Sequence, residues 1–301
     1  MGRVAVSQAS KAEPGAPANR MGTTSIEDLR LYHYTTVESF ANILKTRVLW
    51  ASHIGYLNDT SEQSLIPELI RKRIKARLQN PECPNRKTLE KVDTFVSSPI
   101  SKDVFVVSFS KDGGDRLSQW RGYSGSAGVS IGFNPSELEK RCNTFTTENY
   151  KHPTDGIGAI LREVKYIKAT GDKHSDVEID STLDFHIAVA EMESPLTPSE
   201  TFNRELSYTS CDLKDAAFGE ELESRIVILD FSGDSNLLFR TRKSLLAPYR
   251  EFSLGTQLWP LISKVTIGPS PHKEETTKAI KRMIGDDRIE VVESLIPYRD
   301  W

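Results

Sequence analysis

The sequence contains few cysteines, and their placement excludes two classes of small protein. The three cysteines, Cys83, Cys142 and Cys211, lie far apart and form no Cys-x-x-Cys pair. A disulfide framework and a zinc ribbon are therefore excluded, and the pattern is typical of a reducing compartment. The six histidines also form no two-histidine helical motif. We therefore predict that the protein has no metal site.

Long apolar runs are missing as well. No run approaches the roughly 18 residues of a membrane-spanning helix, so we predict a cytoplasmic protein with no membrane partner. The first residues are rich in Ala, Ser, Gly and Pro and lack the apolar run of a signal peptide. We predict a disordered tail over residues 1–27 and a single domain over residues 28–301.

Neither sign of charge dominates the sequence. Lys and Arg number 39 and Asp and Glu 42, which gives a net charge of −3. This balance argues against a protein dedicated to nucleic acid or to anionic membranes, although it leaves room for a local basic patch. The charge pattern indicates no particular oligomeric state.

Strand and helix patterns follow one another without a regular βαβ rhythm. A strongly apolar run predicts a buried strand over Val104–Ser110, and clean alternation predicts another over Gly128–Phe133. Other predicted elements are one helical turn at 117–123, a short helix from Pro135, a strand at Glu163–Ile167, two helices within 176–217 and a helix capped by Ser270. The order favours an α+β fold with a mixed or antiparallel sheet core and flanking helices. Neither a Gly-rich dinucleotide fingerprint nor a Walker loop is present.

The segment around His33 is the most informative one. A short strand over Leu31–Thr35 leads directly into an amphipathic helix, with Thr35 as the predicted N-cap and Glu38 as the return half of a capping box. One helical face carries the apolar residues Val37, Phe40, Ala41 and Leu44. His33 therefore lies beside a helix N-terminus, where a phosphate or a ribose hydroxyl would be stabilised. The alternative is a histidine packed in a strand and bonded to the backbone. A second capping pattern, Asn58-Asp59 with Glu62, predicts the start of a later helix.

Two further clusters offer small hydroxyls and flat rings. Ser108 and Ser110 end the strongest apolar strand, where they can hold an amide or a ribose or simply form a turn. Trp120, Arg121 and Tyr123 precede a Gly-rich stretch. Aromatic faces beside glycines suit the stacking of a flat ring, and the alternative is loop packing.

Late in the sequence, two acidic patterns could supply a functional carboxylate. Glu221, Glu223 and Arg225 are spaced by two residues, so on a strand all three point to the same side. Arg225 can lock one carboxylate by a bidentate pair and leave the other free for a ligand, or the run can form a solvated strand edge. Glu251 lies between apolar neighbours and is a further candidate.

The ordered set of these motifs resembles a large bacterial domain family of unknown function. The resemblance extends from about residue 30 to 295. It rests on the motifs His33–Thr35, Asn58-Asp59-x-x-Glu62, Ser108–Ser110, Trp120-x-x-Tyr123, Gly128–Phe133, Glu221-x-Glu223-x-Arg225 and Ile267–Pro269. This resemblance gives no activity.

The opening strand and helix also resemble, more distantly, the first element of ADP-ribosyltransferases, including enzymes that modify DNA. The resemblance implies an ADP-ribosyltransferase-like fold and NAD as a substrate. It implies that His33 and Thr35 hold a ribose and an amide, with Tyr34 between them in the binding strand. Ser108 and Ser110 would line the pocket.

The same resemblance implies a stacking residue and a late catalytic carboxylate. Tyr123 or Trp120 would stack the nicotinamide ring. Glu223, or in its place Glu221 or Glu251, would contact the nicotinamide-side ribose and orient the acceptor. Such a carboxylate stabilises the positive charge that develops when the nicotinamide–ribose bond breaks.

Three functions follow from these observations. The first is an NAD-dependent ADP-ribosyltransferase, a toxin or phage-defence effector that modifies an unknown protein or nucleic-acid acceptor. The second is a non-catalytic module of the same fold that binds a nucleotide or a protein. The third is a nucleic-acid-processing enzyme that uses His33 with Arg121 and Arg225, which the acidic balance disfavours. Proximity of His33, Tyr123 and a glutamate around one pocket would favour the first two.

Overall fold

The structure is a computed structural model, and its elements are described for most of the chain. The described residues are 29–57, 64–97, 103–124, 127–149, 156–168, 173–192, 198–231, 237–241 and 244–298. The strands are β1 (Leu31–Thr36), β2 (Val48–His53), β3 (Asp103–Ser110), β4 (Gly128–Phe133), β5 (Ile157–Glu163), β6 (Lys165–Ile167), β7 (Leu213–Asp215), β8 (Glu223–Asp230), β9 (Leu238–Thr241), β10 (Leu246–Ser253), β11 (Ile262–Ile267) and β12 (Glu290–Glu293). The helices are α1 (Val37–Thr46), α2 (Leu65–Leu78), α3 (Arg86–Ser97), α4 (Leu117–Tyr123), α5 (Pro135–Asn149), α6 (Lys173–Glu191), α7 (Pro198–Asp212) and α8 (Lys273–Ile284).

Strand β3 is the junction of the main sheet. One of its edges pairs along the whole strand with β8, which in turn pairs with β5. Its other edge contacts two different strands: Ser110 pairs with β1, and Phe105 and Val106 pair with β2. Strand β1 leads on to β4, β11 and β12, and β2 leads on to β10 and β9. The sheet therefore divides into two arms at β3.

The sheet is mixed, and the chain has the predicted α+β class. The pairs within the large sheet are antiparallel except for β11 with β12, which are parallel. The pair β6 and β7 forms a small parallel ribbon apart from it. The main core lies between the sheet and helices α1, α5 and α8, and includes Phe40, Phe133 and Phe252. A second apolar core joins α2, α3, α6 and α7.

Several predicted boundaries are wrong. Thr36, not Thr35, caps α1, since β1 stays paired with β4 through Thr36; the Thr36 hydroxyl accepts from the Ser39 amide at 3.1 Å. Helix α5 is 15 residues long rather than short. Helix α8 has His272 at its N-cap in place of Ser270. The helical turn predicted at 117–123 is a seven-residue helix.

The strand predicted over Glu163–Ile167 is two strands that break at Val164. Residues 157–163 form β5, which the sequence pattern missed, and 165–167 form β6. The Val164 amide donates to the Glu223 carbonyl at 3.0 Å, where the chain leaves one sheet for the other. The proposed tail over 1–27 and the Asn58, Asp59 and Glu62 cap lie outside the described residues.

Candidate functional site

A cavity of about 610 Å³ opens where the two arms of the sheet separate. This volume is within the usual range of ligand pockets. One wall is β1 with the first turns of α1, another is β2 with β9, and β3 and β8 form the floor. Its lining includes eight predicted site residues, namely His33, Tyr34, Thr35, Ser108, Tyr123, Glu221, Glu223 and Arg225.

The division of the sheet leaves the backbone of β3 free at one point, and His33 occupies that point. Residues 107–109 lie between the contacts of β3 with β1 and with β2, so this edge has no strand partner there. The Nδ1 atom of His33 is 3.0 Å from the Ser108 carbonyl oxygen. A carbonyl oxygen only accepts, so Nδ1 carries the proton and Nε2 of the neutral ring is an acceptor.

Electrostatics keep His33 in that neutral form. Burial lowers its pKa below the usual 6.5, the Ser108 carbonyl opposes this, and the positive charge of Arg240 lowers the pKa further. At neutral pH the ring can therefore accept a hydrogen bond from a ligand hydroxyl at Nε2.

Glu223 and Arg225 form a buried ion pair at the floor of the cavity. Both project to the same side of β8, as the two-residue spacing predicts. Nε and Nη2 of Arg225 donate to the two carboxylate oxygens of Glu223 at 2.7 and 2.8 Å. Burial would raise the pKa of Glu223, but Arg225, together with Lys214 and a hydrogen bond from the Ser108 hydroxyl, lowers it. Glu223 is therefore a fixed negative charge.

Glu221 reaches the same place by a different route from the predicted one. It ends a 3₁₀ turn over Ala216–Glu221, and Leu222, with a φ of 46°, turns the chain before β8 begins. The Nζ atom of Lys214 lies 2.8 Å from Glu221 and 3.2 Å from Glu223, so one ammonium bridges both carboxylates. The side chain of Glu221 is 23% exposed and that of Glu223 only 5%. Glu221 is thus the more accessible carboxylate.

Helix α4 presents Tyr123 at the mouth of the cavity. The Tyr123 hydroxyl donates to Glu221 at 3.2 Å, and the residue is 44% exposed. Partial burial and the carboxylates of Glu221 and Glu223 raise the pKa of Tyr123 well above its usual range. Tyr123 therefore stays protonated and offers a flat, accessible face beside the acidic pair.

Away from Tyr123, one wall of the cavity carries polar groups and the facing wall carries an aromatic and a cationic group. Thr36, Ser39 and Asn42 lie along the side of α1 that lines the cavity. Facing them, the guanidinium of Arg240 lies 6.0 Å from the ring centroid of Trp50 and is hydrogen bonded to Ser52. This end can accept sugar hydroxyls, phosphate oxygens or a flat ring, and the other end is acidic.

Three predicted site residues lie elsewhere. Trp120 is 1% exposed and packs edge-on against Tyr34 in a small core instead of lining the cavity, because its indole is held by Asp115 at 2.8 Å. Glu251 is exposed on β10 and is not part of the cavity lining. Ser110 faces a smaller space behind the cavity, and its hydroxyl donates to the Glu221 carbonyl at 2.6 Å.

Two predicted binding groups have structural partners. Tyr34 lines the cavity, but its hydroxyl donates to Asp112 at 2.8 Å and accepts from the Arg116 amide. Burial and the Asp112 charge raise the pKa of Tyr34 far above its usual range. Arg121 is stacked 4.9 Å from the ring centroid of Tyr298 and does not line the cavity. Arg121 therefore does not join His33 and Arg225 in the cavity, as the hypothesis of a nucleic-acid-processing enzyme requires.

The sequence patterns missed three residues that shape the site. Lys214, Arg240 and Trp50 come from β7, β9 and β2, and none belongs to a recognisable motif. Lys214 follows the apolar Leu213, and nothing in the neighbouring sequence indicates that it pairs with Glu221 and Glu223. These three residues line the cavity because of the spatial arrangement of their strands, which local sequence patterns do not show.

Two features are absent from the described part of the chain. That part of the chain has no group of three or more His, Cys, Asp or Glu side chains able to hold a metal ion. Within the same residues, no helix has both the length and the apolar character needed to cross a bilayer.

Comparisons with known proteins give a match to a family over part of the chain and a solved structure of low similarity. No curated protein matches the chain. A solved structure, "Thermus sp. 2.9 DarT in complex with ADP-ribosylated ssDNA", aligns over 91% of this chain and 97% of that one, with 13% identity and a TM-score of 0.31. Residues 119–226 match the family described as "Protein of unknown function (DUF2971)". That segment contains Trp120–Tyr123, Gly128–Phe133 and Glu221–Arg225, so the predicted resemblance to a domain family of unknown function is confirmed over these residues.

Proposed function

We propose that the chain is an ADP-ribosyltransferase that uses NAD as its substrate and transfers ADP-ribose to a protein or nucleic-acid acceptor. One observation carries this proposal: His33, Tyr123 and the pair Glu221 and Glu223 surround a single cavity of about 610 Å³. These residues are distant in sequence and come from a strand, a helix and the approach to another strand. A histidine with only a structural role in its strand would not need Tyr123 and two glutamates around the same cavity.

The two ends of the cavity suit the two ends of a dinucleotide. The neutral ring of His33 accepts a ribose hydroxyl at Nε2, and the wall of Arg240 and Trp50 suits phosphate and a flat base. At the other end, Tyr123 offers a face for the nicotinamide ring beside the carboxylates. NAD would thus lie with its nicotinamide-side ribose next to Glu221 and Glu223.

The acidic end suits cleavage of the nicotinamide–ribose bond. The bond breaks with its electron pair passing to the nicotinamide nitrogen, which becomes neutral, while positive charge develops at C1′ and the ring oxygen of the ribose. Glu223, held ionised by Arg225, stabilises that charge. Glu221, the more exposed carboxylate, accepts the proton that the acceptor loses as its new bond to C1′ forms.

Nicotinamide release, measured by mass spectrometry after incubation with NAD, tests this proposal. We expect release by the wild type, and a loss on the order of 10²-fold or more in His33→Ala and in Glu221→Gln. Glu251→Gln is the matched control, because Glu251 is an exposed glutamate outside the cavity. Glu223→Gln is less diagnostic, since removing one partner of a buried ion pair can destabilise the fold by about 3–5 kcal/mol. Circular dichroism of each variant checks folding.

A second function is favoured by the pairing of the carboxylates. Glu223 is fully engaged by Arg225 and Lys214, and Glu221 is shared between Lys214 and Tyr123. A non-catalytic module that binds a nucleotide would tolerate this neutralisation. Two results together would support the binding module. Calorimetry would show that the protein binds NAD, and no nicotinamide would be released either by the pure protein or in lysate supplied with labelled NAD. Equal release from the wild type and both variants would contradict the assigned site, and no binding would reject both functions.

A further inference from the structure

Behind the main cavity lies a smaller space of about 70 Å³. It lies between α4 and strands β1 and β3, and shares His33, Tyr34, Ser108, Tyr123, Glu221 and Glu223 with the main cavity. A water molecule occupies about 30 Å³ in the liquid, so this space admits a group of only a few heavy atoms. Its position next to Glu221 and Glu223 makes it an annex of the acidic end.

Nearly all polar groups around this annex already have partners. Tyr34 is bonded to Asp112, the Ser110 hydroxyl donates to the Glu221 carbonyl, and His33 is bonded to the Ser108 carbonyl. Apart from Nε2 of His33, which is open to a ligand hydroxyl, Gln119 is the exception. Its side chain lines the annex, the residue is only 6% exposed, and no other group in the described part of the chain is hydrogen bonded to its amide.

The residue is mostly buried, but its amide reaches the open space of the annex instead of a partner in the protein. Gln119 is positioned by its helix. It belongs to α4, and its neighbour Trp120 is anchored to Asp115 at 2.8 Å. The amide therefore lies beside an open polar space and has both a donor and an acceptor to offer.

We propose that Gln119 is a specificity-determining residue that recognises a primary carboxamide of the ligand. The Gln119 carbonyl accepts from the ligand N–H, and the Gln119 N–H donates to the ligand carbonyl. A planar amide is small enough for the annex and satisfies both functions of the glutamine at once. The inference rests on the proposed function, since the nicotinamide of NAD carries such a carboxamide.

The test compares NAD with the analogue in which an acetyl group replaces the carboxamide. Calorimetry gives the affinity of both for the wild type and for Gln119→Met, which keeps the length of the side chain and removes its polar atoms. The wild type is expected to bind NAD on the order of tenfold more tightly, since the analogue lacks the N–H donor. Gln119→Met is expected to bind the two with equal affinity.

The outcomes separate this assignment from the proposed function. Binding of both dinucleotides by the wild type with equal affinity, or discrimination that survives in Gln119→Met, would overturn the role of Gln119 and leave the NAD site standing. Failure of the wild type to bind either dinucleotide would reject the NAD site itself, and the role of Gln119 with it. Circular dichroism checks the fold of the variant. Gln119→Asn, which keeps the amide but shortens its reach, is expected to weaken discrimination if Met disrupts folding.

Discussion

At the scale of single residues, one unpaired backbone carbonyl decides how His33 can act. The Ser108 carbonyl lies where β3 has lost its strand partner, and it fixes the proton of His33 on Nδ1. Burial, together with the charge of Arg240, then holds the pKa of this ring below 6.5. Protonation would turn Nε2 from an acceptor into a donor and bring a second positive charge close to Arg240.

We expect the pKa of His33 to lie below 6.5 and to rise in Arg240→Gln, because removal of the guanidinium charge eases protonation. The neutral, binding form therefore persists as the pH falls through 6.5 and is lost only below it. Nuclear magnetic resonance titration of labelled histidine checks this, with His33→Ala to assign the signal. Lys45→Gln, on the exposed side of α1, is the control and should leave the value unchanged. A pKa at or above 6.5 in the wild type would contradict the electrostatics described here.

The spacing of single residues predicted some side-chain positions in the site and not others. The two-residue spacing correctly placed Glu223 and Arg225 on one side of a strand, since strand geometry is local. It failed for Glu221, because the positive φ of Leu222 turns the chain at that point. Trp120 was a reasonable stacking candidate by residue type. Its burial depends on Asp115 and Tyr34, which local sequence does not bring together.

At the scale of elements, the short helix α4 depends on contacts outside itself for its position. The carboxylate of Asp115 accepts from the indole of Trp120 at 2.8 Å, from the hydroxyl of Ser294 at 2.6 Å and from the amide of Leu295 at 3.0 Å. Asp115 thus ties α4 to the segment that follows β12. Since α4 carries Gln119 and Tyr123, this tie positions one side of the candidate site.

We expect Asp115→Ala to lower the free energy of unfolding by about 2 kcal/mol, because three donors lose a charged acceptor. Chemical denaturation measures this loss. Asp287→Ala, at an exposed aspartate after α8, should stay within about 0.5 kcal/mol of the wild type. If the position of α4 matters for the site, Asp115→Asn should also weaken NAD binding while the protein remains folded. Wild-type stability in Asp115→Ala would show that packing alone holds α4.

Elements with a strong local pattern were predictable, and those that depend on distant partners were not. Strand β4 has the predicted bounds, Gly128–Phe133, because its alternation is complete within six residues. Strand β5 escaped prediction because its polar C-terminal end and its two small residues, Gly158 and Ala159, form a strand only against β8. Thr36 replaced Thr35 as the cap for a similar reason, since pairing with β4 extends β1 by one residue.

At the scale of the whole molecule, the cavity is a consequence of strand order. Strands β1 and β2 are close in sequence, yet β3, from residues 103–110, separates them in the sheet. If β1 and β2 paired directly with each other, β3 would not lie between them. The backbone at 107–109 would then not be left without a strand partner beside His33, and His33 would have no carbonyl to bind. The sequence indicated the α+β class and most of the candidate residues, but the division of the sheet required tertiary structure.

Whether the chain from residue 28 to 301 behaves as one domain depends on the joint between its two cores. The helical core of α2, α3, α6 and α7 has its own apolar residues. A third cluster bridges it to the sheet, where Cys211 of α7 packs with Val106 on β3 and Val227 on β8. This buried contact favours unfolding as one unit, because the helical core cannot detach without exposing the back of the sheet.

We therefore expect a single thermal transition, with the same midpoint by far-ultraviolet circular dichroism and by tryptophan fluorescence. The dichroism follows the helices, whereas Trp50, Trp120 and Trp259 report on the sheet side of the molecule. Cys211→Ala should lower both midpoints together, at a cost of about 1 kcal/mol, because it loosens the joint without separating the cores. Ser118→Ala, at an exposed position in α4, is the control. A helical transition that precedes the fluorescence change would divide the chain into two domains, and the candidate site would then belong to the sheet domain, with Lys214 at its border.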